Sequence, residues 1–153
     1  KVRTQDLVIK LSGLMFLCGF VLAGLGYRFS WYVLPLGVSI AGAILFLLAY
    51  VLYAEVLREN AYLSRTVEVQ DGQTVISTGL YGVLRHPMYL ATLLMFLPMP
   101  LILQSFWGLV PVALYHVVIV VRLLDEEKLL AAELAGYADY QKKVRYRLLP
   151  FLW

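Results

Sequence analysis

Residues 31–56 read WYVLPLGVSIAGAILFLLAYVLYAEV, and this stretch decides the solvent in which the chain folds. Its first charged residue is Glu55, so a helix built from it presents apolar side chains on every face. About 20 residues of helix cross the hydrocarbon core of a bilayer, and this run is long enough to do so. Residues 7–27 form a second run of the same kind upstream. Downstream, 88–103 and 106–124 repeat the character over shorter lengths, separated by little more than 103–105, which predicts a tight antiparallel pair of helices. Membrane-spanning strands are excluded, because the alternation of apolar and polar residues that marks a membrane barrel is missing from all four runs. The expectation is an all-α integral membrane protein with about four transmembrane helices.

Composition and charge agree with that reading. A chain of 153 residues that is 61% hydrophobic and 15% charged has too little polar surface to wrap a water-soluble core. Of its 13 basic residues, only Arg28 falls outside three groups: those before or at the start of the first run, those between the second and third, and those that close or follow the fourth. The positive-inside rule then predicts a multi-pass protein with both termini and the central segment in the cytoplasm. A net charge of +3 serves this topology, and no nucleic-acid partner is expected. The single cysteine, Cys18, lies inside the first run, so neither a disulfide framework nor a metal-ligand cluster is expected. The chain opens at Lys1 without a methionine, which leads us to expect a segment upstream.

These boundaries divide one membrane domain into a two-helix scaffold (7–57), a cytoplasmic loop (58–87), a helical hairpin (88–124) and a cytoplasmic C-terminal helix and tail (125–153). Glycines at 13, 19, 24, 26, 37 and 42 suit close helix contact in the scaffold. Within the loop, Asp71-Gly72 sits between two β-prone segments, 66–70 and 73–76, and predicts a small cytoplasmic β-hairpin. Pro87 suits the first turn of a helix, where its missing N–H would have had no partner. Residues 125–143 read as an amphipathic helix interrupted near Gly136, after which Leu148 to Trp153 returns to the interface.

The residues able to carry chemistry fall in three places. Thr78-Gly79-Leu80-Tyr81-Gly82-Val83-Leu84-Arg85-His86-Pro87-Met88-Tyr89 brings a fixed cation, an imidazole and two phenols to a helix start, where an anionic group is favoured. Arginine and tyrosine that merely anchor a helix end would account for the same residues. Near the end of the fourth run, Arg122 and Glu126 are spaced for a weak surface pair on one helix face. The neighbouring Glu127 points about 100° away and must turn elsewhere. Finally, Tyr137, Tyr140, Lys142, Lys143, Arg145 and Arg147 make a basic juxtamembrane segment, suited to anionic lipid or to a substrate carboxylate.

In this order, the Thr-Gly-Leu-Tyr lead-in, Arg85-His86-Pro87-Met88-Tyr89, the Glu126-Glu127 pair and the Tyr137/Tyr140 spacing resemble the isoprenylcysteine carboxyl methyltransferase family of integral-membrane enzymes and its phospholipid methyltransferase relatives. The resemblance runs from about Leu63 to Pro150. It implies methyl transfer from S-adenosyl-L-methionine to a lipophilic or lipidated acceptor lodged among membrane helices. It also implies that Tyr81, Arg85, His86, Pro87, Tyr89, Glu126 and Glu127 surround the cofactor, and that Arg85, Arg122, Arg145 and Arg147 serve the reaction and its acceptor, with no metal. Two other readings stand beside it: a membrane reductase of the sterol-reductase type using reduced nicotinamide, whose C-terminal segment looks similar, and a non-catalytic membrane interaction subunit. The reductase pattern has Arg-Cys and Lys-Tyr-Gly where this chain has Asp125-Glu126-Glu127-Lys128 and Ala135-Gly136-Tyr137.

Overall fold

The computed structural model describes residues 2–31, 33–64 and 68–153, with side chains from Leu7 onward. Helix α1 (Val2–Arg28) and helix α2 (Leu36–Glu59) take up the first two apolar runs. With 27 and 24 residues they extend roughly 40 and 36 Å at 1.5 Å per residue. Both are long and apolar enough to cross a membrane, and only 6% and 11% of their most apolar windows is buried within the molecule. The chain leaves α1 through Ser30 in the left-handed region (φ 52°), with the Trp31 N–H donating to Gly26 O at 2.9 Å. Pro35 then starts α2.

The third run is broken. Helix α3 (Pro87–Phe96) begins at the proline read as a helix start, and the chain bends at Leu97-Pro98 into the short helix α4 (Met99–Ile102). Pro98 and Pro100 lack the N–H groups that a continuous helix would use, so the expected single span over 88–103 becomes two pieces. After a turn through Gln104 (φ 54°), helix α5 (Leu109–Glu133) runs unbroken past position 125. The expected C-terminal amphipathic helix is therefore the last part of α5 plus a separate helix α6 (Tyr137–Lys143). Gly136, at φ +83°, makes the break between them.

Among the described residues, no strand flanks Asp71-Gly72, where the sequence predicts a β-hairpin. The turn itself is present, with Gly72 at φ 74° and the Gln73 N–H donating to Gln70 O at 3.0 Å. What is missing is the ladder, because the Gln70 N–H donates to its neighbour's side chain, Gln73 Oε1, and Gln70 Nε2 donates to Tyr62 O. Val69 and Val75 pack instead on the aromatic cluster of α6. Thr66 and Val67, part of the first expected strand, lie outside the described residues.

Helix α2 packs on α3 and α4, α1 packs on α5, and α3 packs on α5. At one end of the bundle, Val33 and Ser105 form an antiparallel bridge that joins the α1–α2 and α4–α5 connections. At the other, Leu84 and Tyr146 bridge in parallel, and the Arg85 and His86 N–H groups donate to Tyr146 O and Arg147 O, both at 2.9 Å. A core of Tyr89, Leu93, Ile119, Leu123 and Leu148 binds α3, α5 and the tail together. A second cluster of Leu134, Tyr137, Tyr140 and Val144 closes the same end.

Candidate active site

The lead-in to α3 is held from both sides. Gly79 has φ +48°, which favours glycine, and a Cβ there would lie 1.9 Å from Glu59 Oε2, so a side chain would be strained and would displace the Glu59 carboxylate. The close approach lets Glu59 accept from the Leu80 N–H at 3.2 Å, anchoring the 3-10 turn Gly79–Gly82 on the end of α2. From the opposite side, the Tyr140 hydroxyl donates to Tyr81 O at 2.6 Å. The Tyr81 side chain meets Asn60, whose Nδ2 donates to the phenol oxygen at 2.9 Å. Burial pushes the Tyr81 phenol up to about 12, an effect the Asn60 bond lessens and the charges of Glu126 and Glu59 reinforce.

Behind this turn lies an ion-pair cluster centred on Glu127, which is 6% exposed. Its Oε1 is 2.6 Å from Arg85 Nε and 3.5 Å from His86 Nε2, and its Oε2 accepts from Arg147 Nε at 2.7 Å. Arg85 also donates through Nη1 to Val144 O at 3.1 Å, and the Arg147 guanidinium lies 5.4 Å from the centre of a Trp153 ring. Burial by itself raises the Glu127 carboxyl. Bonds from His86 and Arg147, with the charges of Arg85 and His86, more than offset this and hold it at about 2. Tyr137, also buried, has its phenol pushed upward by burial, and its hydroxyl meets no hydrogen-bond partner among the described residues.

In front of the cluster is a cavity of about 460 Å³. Tyr81, Arg85, His86, Tyr89, Arg122 and Glu126 all contribute to its wall. Glu126 accepts a short hydrogen bond from the Tyr89 hydroxyl, and Arg122 reaches the same hydroxyl. The lining is mixed in chemistry: Asn60, Tyr62 and Gln73 add polar groups, while Ile9, Met88, Tyr115 and Ile119 add largely apolar surface. Among the described residues, no three His, Cys, Asp or Glu side chains converge as metal ligands do.

The residues singled out in the sequence therefore divide into two sets. Tyr81, Arg85, His86, Tyr89, Arg122 and Glu126 meet around one space. Pro87 is buried as the first residue of α3. Glu127 and Arg147 pair behind the wall, and Arg145 is exposed away from it. The adjacent glutamates do diverge, one into the cavity and one into the cluster. Sequence reasoning passed over Glu59 and Asn60, which look like the ordinary polar end of an apolar helix. It also passed over Ile9 and Ser12 of α1, which carry no signal apart from their position.

The site is thus a cavity of mixed polar and apolar lining, inside a helical bundle and beside a buried ion-pair cluster. A sequence model of the phospholipid methyltransferase family matches residues 38–135, well over half of the chain, and the chain belongs to that family. No curated protein matches it individually. The matched region takes in α2 to α5, with Tyr81, Arg85 to Tyr89, Arg122, Glu126 and Glu127. It excludes α1, α6 and the tail that carries Arg145 and Arg147.

Proposed function

We propose that this protein is an S-adenosyl-L-methionine-dependent integral-membrane methyltransferase that modifies a lipophilic acceptor, isoprenylcysteine-carboxylate-like or phospholipid-like, at the cytoplasmic membrane face. The observation that carries the reading is a cavity of mixed polar and apolar lining in a chain of this family. At about 460 Å³ it lies within the roughly 300–1,000 Å³ range of small-molecule sites. The lining fits the cofactor, since Glu126 offers a carboxylate to ribose hydroxyls or an ammonium group, and Tyr81 offers a neutral phenol. When bound, S-adenosyl-L-methionine supplies an activated methyl group on a sulfonium, transferred by in-line displacement, which depends on alignment and exclusion of water. Arg85 and His86 line the cavity and are kept in place by Glu127, which pairs in turn with Arg147. Arg122, on the lining with Glu126, offers a fixed cation to an acceptor's polar head. Arg145 faces outward, toward anionic headgroups.

This reading makes the chain multi-pass with both termini in the cytoplasm. Its support is the grouping of basic residues at the end of the bundle that holds the cavity, opposite the exposed aromatics Trp31, Phe106 and Trp107. Calorimetric titration of the detergent-purified protein with S-adenosylhomocysteine, in parallel with reduced nicotinamide cofactor, tests the function. Saturable binding of the former is expected, reduced about tenfold or more in Glu126→Gln through loss of a charged hydrogen-bond acceptor. Binding of nicotinamide alone overturns the reading in favour of a reductase, and silence toward both favours an interaction subunit.

A further inference from the structure

Asn60 caps the end of α2 and lines the cavity, and its hydrogen bonds can be oriented without ambiguity. Its Oδ1 lies 2.9 Å from the backbone nitrogen of Tyr62. A backbone N–H only donates, so the oxygen of the amide must face it. The NH₂ group therefore faces Tyr81, with Nδ2 at 2.9 Å from the phenol oxygen. An amide NH₂ also only donates, so the Tyr81 oxygen must accept. Its own proton is left over, and among the described residues it meets no acceptor.

The ring that carries the hydroxyl is itself held in place. Tyr81 is 7% exposed, its backbone carbonyl is held by Tyr140, and the turn that carries it is pinned to Glu59. Its side chain lines the cavity.

We infer that Asn60 is a positioning residue that sets the direction of the Tyr81 hydroxyl, so that this phenol presents a single hydrogen-bond donor to an acceptor atom of the bound methyl donor. This rests on the cofactor reading above and extends it to a residue at the end of α2. It assigns the polar end of a membrane helix a role in recognition: the end of α2 supplies both the pin for the turn, through Glu59, and the polarity of the bond, through Asn60.

Replacing Asn60 by aspartate reverses that polarity with almost no change in shape. A carboxylate accepts from the Tyr62 N–H as before, but it also accepts from Tyr81, turning the phenol proton away from the ligand. Alanine removes the contact and leaves the hydroxyl free to turn toward the ligand. The order of effects is therefore the reverse of what a packing role produces. Binding of S-adenosylhomocysteine should weaken about tenfold in Tyr81→Phe, as much in Asn60→Asp, and less in Asn60→Ala. The double variant Asn60→Asp/Tyr81→Phe should be no weaker than either single one, since both remove the same donor.

The measurement is calorimetric titration of these purified chains in detergent. Additive losses in the double variant, which point to the aspartate charge itself, overturn the inference, as does native affinity in Asn60→Asp. Should Asn60→Asp not fold, the comparison of Asn60→Ala with Tyr81→Phe decides, and a larger loss in the alanine variant overturns it. If the native chain binds no S-adenosylhomocysteine, the cofactor reading itself falls. If it binds and Tyr81→Phe binds equally well, only the inference about Asn60 falls.

Discussion

Helix α2 and the α3–α5 core bury their residues by opposite rules. The buried residues of α2 are Gly42, Ala49 and Val56, while Leu47, Leu48 and Val51 are more than 60% exposed. Small residues face the neighbouring helices, and Gly42 approaches closely enough that a Cβ there would lie 3.1 Å from the Leu101 Cβ. In the α3–α5 core the large side chains go inside, with Leu123 fully buried. The first pattern belongs to a helix whose outer face needs no shelter from its solvent, the second to a core assembled as in a water-soluble protein. The lesson is that one short chain leaves the large apolar side chains of α2 outward and relies on its own packing, plus buried charge, to hold its site.

The largest expected effect is at the ion-pair cluster. Glu127→Leu leaves Arg85 and Arg147 without their shared carboxylate, a change expected to cost about 3–5 kcal/mol. Thermal unfolding in detergent should show it, and an unchanged melting temperature would mean that the cluster does not hold this end together. The same group has a pH signature. The folded-state value of Glu127, about 2, is below its ordinary 4.5, so its contribution is complete above pH 4.5 and is lost as pH falls toward 2. Acid titration of the native chain should therefore lose stability in that window, and Glu127→Leu should lose less there.

Leu123→Ala, in the core, is expected to cost about 2–5 kcal/mol through lost contact and a residual cavity. At the turn that carries Tyr81, Gly79→Ala faces both a left-handed backbone and the Glu59 carboxylate, and about 1–3 kcal/mol of strain should appear as a lower melting temperature. Leu48→Ala, on the exposed face of α2, should stay within about 0.5 kcal/mol in detergent. A loss comparable to that of Leu123→Ala would break the contrast between the two regions. For Tyr137→Phe no loss is expected. Its hydroxyl is buried without a partner among the described residues, so removing it should be neutral or slightly stabilising, within about 1 kcal/mol. A clear fall in melting temperature would show that the hydroxyl is engaged.

Much of this was legible because it depended on local pattern. Pro87 marked the start of α3, Gly136 the break before α6, and Asp71-Gly72 a tight turn. The divergence of Glu126 and Glu127 followed from helix geometry alone. Where local preference met competition it was unreliable. The segments around Asp71-Gly72 have strand propensity, yet the Gln73 side chain takes the Gln70 N–H, and Val69 and Val75 pack on the cluster that includes α6. The prolines of the third run were visible, but a single expected span over 88–103 underrated their effect on it.

The sequence by itself determined the two long apolar helices, the start of α3, the break at Gly136 and the chemical inventory of the site, because periodicity, proline, glycine and charge act within a few residues of where they stand. Only the tertiary structure decided which of those groups share a space. Glu127 was separated from Glu126 and committed to Arg85 and Arg147, while Glu59 and Asn60 were brought to the turn Gly79–Gly82. Those partnerships span about twenty or more positions along the chain. They depend on helix packing and on the need of each buried polar group for a partner, neither of which leaves a local mark in the sequence.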